Sequence, residues 1–351
     1  MKEKRVLMLG VYNIEDYSRG RILYKGLKAN NVKTSIFLAR NKNKYLKIFK
    51  RILRKDFEIL LVTGKFVLVL SWLLKFLHKK KIIFDAFISD YDNLVNDRKL
   101  IKKNSLKAKL LWLGDKYSCK LADKTILDTK EHINYFVREF KSNKNKFKEI
   151  YIGADEEIFK PIKIKKDKKN FIVSFHGCFI PLQGIEYIIK SAKLLEKDKE
   201  IKFEIIGAGQ TFKEMTNLSK NLNITNIDFL GFIEINKLPK IIARGDVCLG
   251  IFGNTEKTQK VIPNKAFEII AMKKPLITSY TPAINEFFTN EKNCILCKVA
   301  DEKEIAKSII KLKDNLKLRE SISLEGYNLF SKKGSYKKIG KALKEELNKL
   351  Y

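Results

Sequence analysis

Arginine is scarce in a chain that is otherwise strongly basic. Of 72 Lys and Arg residues only ten are Arg, against 40 Asp and Glu, and the formal charge is +32. Nucleic-acid readers rely on Arg forks and interleaved aromatics, and no such patch occurs, so charge alone leaves DNA or RNA binding as the weakest reading. Cysteine is sparse too: Cys119, Cys178, Cys248, Cys294 and Cys297 are odd in number and lack framework spacing. That excludes a disulfide-stapled scaffold and predicts a reducing, cytoplasmic setting. The lone pair Cys294-Ile-Leu-Cys297 has no second pair or neighbouring His, and reads as a strand end before a zinc or redox site. His78, His132 and His176 are too scattered for a metal cluster; the first two read as helix-surface residues, whereas His176 precedes Gly177 at a strand end and is a candidate ligand contact. Long apolar runs are missing as well. The longest, 66–77, already contains Lys75, whereas a spanning helix needs about 20 residues. No leader pattern opens the chain, and there is no internal repeat.

What is present is a 351-residue chain, 45% apolar, 11% aromatic and 32% charged. At roughly 100–200 residues per domain this is a globular protein of two domains. The positive excess runs through both halves and is somewhat larger in the first. Its densest stretch is 41–55, NKNKYLKIFKRILRK, with Leu46, Phe49, Ile52 and Leu53 at helical spacing. Two readings stay open: a helix lying on an anionic bilayer, or a solvated helix with one face in the core.

Strand patterns occur at 5–10, 33–38, 58–63, 82–85 and 124–127, with helical patterns between them, among them 66–79 and 107–121. After Phe159-Lys-Pro161 and the charged stretch 163–169 the alternation restarts. Strands are expected at 171–175, 202–206, 227–230, 247–250 and 275–279, and helices at 184–196, 211–222 and 263–272, before a helical C-terminus. This predicts an α/β fold of two doubly wound parallel domains, 1–160 and 161–330, with a helical segment at 331–351. Such sheets bind ligands at the carboxyl ends of their strands, so the site is expected in an interdomain cleft.

The most informative segment is Val261-Ile-Pro-Asn-Lys265-Ala-Phe-Glu268-Ile-Ile-Ala271. Pro263 suits the first turn of a helix, whose free amides favour an anion, and Asn264 belongs to the same turn. Lys265 and Glu268, three apart, present a cation near the helix start and a carboxylate one turn deeper. An intrahelical surface ion pair is the competing reading. Arg19 and Arg21 bracket Gly20 in the loop after the first strand. Asp85, Ser89, Asp90 and Asp92 follow the fourth. Asp90-Tyr-Asp92 has the spacing of a metal-holding DxD, but a turn or an acceptor contact is the preferred reading, with helix capping by Ser89 or Asp90 as the alternative. Gly207-Ala-Gly209 lacks the third glycine of a dinucleotide fingerprint, so NAD is not expected.

In order and spacing these segments resemble the retaining glycosyltransferases of family 4. Glu268-Ile-Ile-Ala271-Met-Lys-Lys-Pro275-Leu-Ile matches the family frame Glu-Ala-Met-Ala-x-Gly-x-Pro-Val-Ile. Gly153-Ala-Asp155-Glu-Glu-Ile-Phe159-Lys-Pro161 is similar to its Gly-x-Asp-x-x-x-Phe-x-Pro junction. His176-Gly177 through Ile185 resembles the loop-and-helix opening of its second domain, and Ile205-Ile206-Gly207-Ala-Gly209 its next strand end. The resemblance implies the GT-B fold with the C-terminal helix returning to the first domain, an acceptor-binding first domain, a donor-binding second domain, and a nucleotide-sugar substrate used without metal or other cofactor. By position Glu268 inherits the contact to the nucleotide ribose, with Gly177, Gly207, Asn264 and Lys257 in the donor set.

Two departures stand out. The family's Glu-x7-Glu would place its first carboxylate at 260, where this chain has Lys260, with Glu256 four residues earlier. Its glycine-loop cations are replaced by Cys178 and Gln183. Lys257, Lys260 and Lys265 are therefore expected to stabilise the leaving diphosphate, because fixed cations and a helix N-terminus can hold growing negative charge. Lys260, Lys265 and Asp85 are the expected catalytic residues, and Arg19, Arg21 and Asp90 the expected acceptor contacts. The activity implied is transfer of a sugar to a saccharide or lipid-linked saccharide acceptor with retention, in cell-surface polysaccharide or glycan synthesis. The implied setting is cytoplasmic or peripheral at the inner face of the plasma membrane. The alternatives are a GT-B-fold sugar-nucleotide epimerase, which the few histidines disfavour, and the nucleic-acid binder already discounted.

Overall fold

The computed structural model describes residues 5–10, 18–38, 43–165 and 169–350. Residues 11–17 of the expected loop, 41–42 of the basic run and 166–168 of the expected linker lie outside the described residues. The chain divides into two units, Met1–Gly153 with Tyr336–Tyr351, and Ala154–Ser335.

Strands buried on both faces need nearly unbroken apolar sequence, and that is what forms the first sheet. In chain order its unit contains β1 (Arg5–Gly10), α1 (Ser18–Ala29), β2 (Lys33–Leu38), α2 (Lys44–Leu53), β3 (Ile59–Thr63), α3 (Lys65–Leu73), α4 (Lys75–His78), β4 (Lys81–Asp85), α5 (Leu106–Leu121), β5 (Lys124–Leu127), α6 (Lys130–Phe140) and β6 (Phe147–Glu149). The sheet is wholly parallel, ordered β2-β1-β3-β4-β5-β6. Strand order therefore reverses between β1 and β3, the place where doubly wound sheets open a crevice. Ser105 caps α5 by accepting from the Ala108 amide, and Thr129 caps α6 by accepting from that of His132.

The second unit contains β7 (Phe171–His176), α7 (Ile185–Leu194), β8 (Ile201–Ile206), α8 (Phe212–Asn221), β9 (Ile227–Gly231), α9 (Leu238–Arg244), β10 (Val247–Leu249), α10 (Asn264–Ala271), β11 (Leu276–Ser279), α11 (Pro282–Asn285), β12 (Ile295–Cys297), α12 (Glu302–Asp314) and α13 (Leu316–Leu329). Its parallel sheet is ordered β12-β11-β10-β7-β8-β9, so its reversal falls between β7 and β10. A last helix, α14 (Tyr336–Asn348), belongs to the first unit and crosses α1. The crossing is close because both contact residues are glycines: a Cβ on Gly26 would collide with the Tyr336 carbonyl, and one on Gly340 with the Gly26 backbone. Lys344 Nζ then donates to the Asn30 carbonyl at 2.7 Å.

Several expectations need correction. The single helix expected over 66–79 is two, because Leu74 ends α3, Lys79 turns left-handed after α4, and His78 Nε2 sits 3.0 Å from the Ser71 carbonyl. His78 and His132 are buried, not helix-surface residues: His132 Nδ1 bonds Asp128 at 2.7 Å within a cluster of Tyr135 and Phe136. Of the basic run, Ile48 and Ile52 face the core while Leu46 and Leu53 are exposed. Arg19 and Arg21 lie in the first turns of α1, not in a loop. Pro263 precedes α10 as its N-cap, one position before the first turn.

Candidate functional site

The second unit's site grows from the end of β7. All six residues of that strand are buried, and it terminates in His176. Gly177 follows, its amide donating to the Ile206 carbonyl at 3.0 Å. Gly207, at the end of β8, lies against it so closely that a Cβ there would strike the Gly177 carbonyl. The turn Pro181–Gln183 then leads through left-handed Gly184 into α7. Gly184 packs on the backbone of Gly253, so the segments after β7 and β10 touch at the point where strand order reverses.

Helix α10 feeds two functional side chains into this place. Lys265 is buried, with Nζ donating to Gln183 Oε1 at 2.6 Å and, more weakly, to the Gly250 carbonyl at 3.4 Å. The ammonium also lies 3.5 Å from the Phe175 ring centroid. Burial drives its pKa well below the ordinary value, only partly offset by Cys178 and Glu268. An anion brought beside this group would favour its charged form. Gly177 is required for this placement: a Cβ there would lie 2.7 Å from Lys265 Nζ.

One turn on, Glu268 Oε2 is 2.9 Å from His176 Nε2. A carboxylate only accepts, so Nε2 carries the proton, and Nδ1 is left buried without a hydrogen-bond partner. The pair fixes the carboxylate at a strand end, where it can accept from a vicinal diol. Asn264 is the half-buried first residue of α10. Lys257 and Lys260 occupy the turns before it, both buried, with Lys260 3.9 Å from Glu256.

In the first unit, Arg19 and Asp85 form a buried pair: Arg19 Nε donates to Asp85 Oδ1 at 2.8 Å and Nη1 to the Ile150 carbonyl at 3.0 Å. Desolvation pushes the Asp85 carboxyl above the usual range, against the pull of Arg19. Arg21 is half-buried on α1. Lys65 lies 2.6 Å from both Asp90 and Asp115. Burial lowers its pKa, but the two carboxylates outweigh this and leave it raised. The two carboxylates of the DxD go to different partners: Asp90 pairs with Lys65, and Asp92 accepts from Asn96. Ser89 caps the following turn by accepting from the Asp92 amide at 3.0 Å. Among the described residues no group of three or more His, Cys, Asp or Glu is placed to hold a metal. Cys297 lies on β12, bonded to Ser308, with burial raising its thiol to about 12, which suits a structural residue.

The structure thus gathers Gly177, Gly207, Lys265 and Glu268 in one unit, and Arg19, Asp85 and Asp90 in the other. Sequence reasoning did not find the partners that define the site: Gln183 for Lys265, His176 for Glu268, and Lys65 and Asp115 beside Asp90. Only His176 carried a signal, its place at a strand end.

No helix among the described residues is long and apolar enough to cross a membrane. Residues 155–329 match the family described as glycosyl transferases group 1. An uncharacterized glycosyltransferase of Methanocaldococcus jannaschii is 27% identical over 240 residues, 68% of this chain and 62% of that one. A second from the same organism is 25% identical over 322 residues, 88% of this chain and 79% of its own. The chain thus spans under two thirds of the first of these relatives. Among solved structures, sucrose-phosphate synthase from Thermosynechococcus elongatus superposes with a TM-score of 0.77 at 14% identity, covering 99% of each chain. Anabaena HepE in complex with UDP and glucose gives 0.73 at 13% identity, covering 98% of this chain and 99% of that one. The fold is therefore GT-B, two Rossmann-like domains, and residues 155–329 are similar to the glycosyl transferases group 1 family.

Proposed function

We propose that this protein transfers a sugar from a nucleotide-sugar donor to a saccharide or lipid-linked saccharide acceptor, with retention of anomeric configuration, in cell-surface polysaccharide or glycan synthesis. The observation that carries the proposal is the pairing, at the β7/β10 reversal, of a buried, under-neutralised ammonium (Lys265) with a carboxylate held by His176 (Glu268). On this reading Glu268 accepts from the ribose diol. Lys265, with Lys257 and Lys260, takes the charge growing on the departing diphosphate, so neither metal nor cofactor is needed. The UDP and glucose bound by HepE support a donor of this type.

The first unit is assigned to the acceptor, with Asp85 and Asp90 as its polar contacts, Arg21 beside them on α1, and Arg19 as the positioning residue that holds Asp85. Docking at the inner face of the plasma membrane is favoured by one observation. Leu46, Phe66, Trp72, Leu73 and Phe76 are exposed on α2, α3 and α4 among lysines, as on an amphipathic surface that meets anionic lipid. A panel of UDP-, GDP- and ADP-linked sugars, with the product anomer read by NMR, tests the reading. Turnover of one donor with its configuration kept supports it; turnover of none, or inversion, contradicts it.

A further inference from the structure

A cavity of about 930 Å³ opens at the carboxyl ends of β3 and β4 in the first unit. Its walls are mainly apolar, with Tyr45, Phe66, Phe84, Phe87 and Leu110 among them, and Phe66 and Leu110 remain largely in water. Thr63, Lys65, Asp85 and Asp90 supply polar groups to the same walls. The charges there are already balanced. Lys44 and Lys65 line it together with Asp85 and Asp90, two cations against two carboxylates, so no net charge is offered to an anionic group. One lining carboxylate is open to a ligand: Asp90 holds Lys65 through Oδ2 at 2.6 Å, while its side chain is 44% exposed. Such a group accepts from a donor outside the chain, and a neutral hydroxyl is the donor that leaves the charge balance intact.

We infer that this cavity takes a neutral amphiphile, a sugar whose hydroxyl donates to Asp90 and whose alkyl or aryl chain lies against Phe66, Phe87 and Leu110. The inference rests on the assignment of the first unit to the acceptor, and it chooses between the two acceptor classes: the saccharide carries an apolar chain, and the head that enters is uncharged.

The test is binding of methyl, butyl, hexyl and octyl β-glucosides to the full chain, below micelle formation and without donor, by calorimetry. Burial of the chain predicts affinity rising up to about fourfold per methylene. Flat affinity from methyl to octyl overturns the inference, as does an octyl phosphate that binds more tightly than octyl glucoside. Asp90→Asn would also remove a partner of Lys65, so the variants are Leu110→Lys and Gly114→Leu. Gly114 lines the cavity, and a Cβ there makes only an ordinary 3.6 Å contact with the Lys65 side chain, so the larger side chain occupies the cavity instead. Both variants should lose octyl glucoside at least tenfold; an unchanged chain-length dependence in Gly114→Leu would place the alkyl chain on the exposed faces of α3 and α4 and contradict the cavity. UDP binding is measured alongside. If UDP binds while chain length has no effect, the inference alone fails. If UDP fails while the dependence holds, the cavity stands and the transferase reading falls.

Discussion

Lys265 Nζ lies 2.6 Å from Gln183 Oε1, and this contact joins the helix after β10 to the turn after β7. A neutral amide is a poor substitute for an anion, so burial penalises the ammonium, and on the proposed function a bound diphosphate would remove that penalty. On that reading the site is arranged for its ligand rather than for stability.

That arrangement has a measurable sign. Because the folded pKa of Lys265 is lowered from 10.5, the unfolded chain binds more protons between the folded pKa and 10.5. Unfolding free energy contributed by this residue therefore rises with pH across that window, and the penalty is fully present below it. Lys265→Met should raise stability at neutral pH by about 1–3 kcal/mol, flatten that pH dependence, and lower turnover by about 10²–10³-fold. Urea unfolding across pH checks the first two, and kinetics the third.

Affinity for a diphosphate carries the opposite dependence. An anion beside Lys265 raises its pKa, so near and above the unliganded pKa binding takes up a proton, and UDP affinity should fall as pH rises through that range. Calorimetry in buffers of different ionisation enthalpy detects the uptake in the wild-type protein, and Lys265→Met should abolish it.

His176 acts through Glu268. His176→Ala should weaken UDP binding about tenfold, and the double variant with Glu268→Ala should bind no more weakly than Glu268→Ala alone, since both remove one contact. Additive losses would mean that His176 contributes independently of the carboxylate.

The legible parts of this chain are those whose cause is local. Strands such as Ile59–Thr63 and Phe171–His176 are apolar on both faces, and that run identifies them in the sequence. Phe147–Glu149, three residues with a single apolar side chain, offers no such run and was missed. The break between α3 and α4 depends on His78 reaching back to the Ser71 carbonyl, which periodicity does not encode. Lys265 and Glu268 were legible because one helix carries both. Gln183 lies 82 residues from Lys265, and Asp85 lies 66 from Arg19, so these pairings exist only once the sheets are wound. Arg19 read as a loop residue and acceptor contact for that reason: its burial is set by a carboxylate two strands away in the sheet.

Packing of α14 on α1 sets a further expectation. Gly340→Ala places a methyl group against the Gly26 backbone and should cost about 1–3 kcal/mol of stability. The UDP affinity of the folded protein should be unchanged, because that contact lies in the other unit. Thermal unfolding and calorimetry on the same variant measure both.

Exposed aromatics on α3 and α4 make the membrane reading testable. Co-sedimentation with anionic vesicles at low salt should capture the wild-type protein and weaken as salt rises. Trp72→Ser with Phe76→Ser should reduce capture at least tenfold; no capture of the wild-type protein would remove docking from the account.

The most direct measurement is calorimetric titration of UDP into the wild-type chain and into Glu268→Ala. The account predicts saturable one-to-one binding to the wild-type protein and a loss of at least tenfold in a variant whose unfolding transition is unchanged. Equal affinity of the two proteins, or no binding to the wild-type chain, would contradict it.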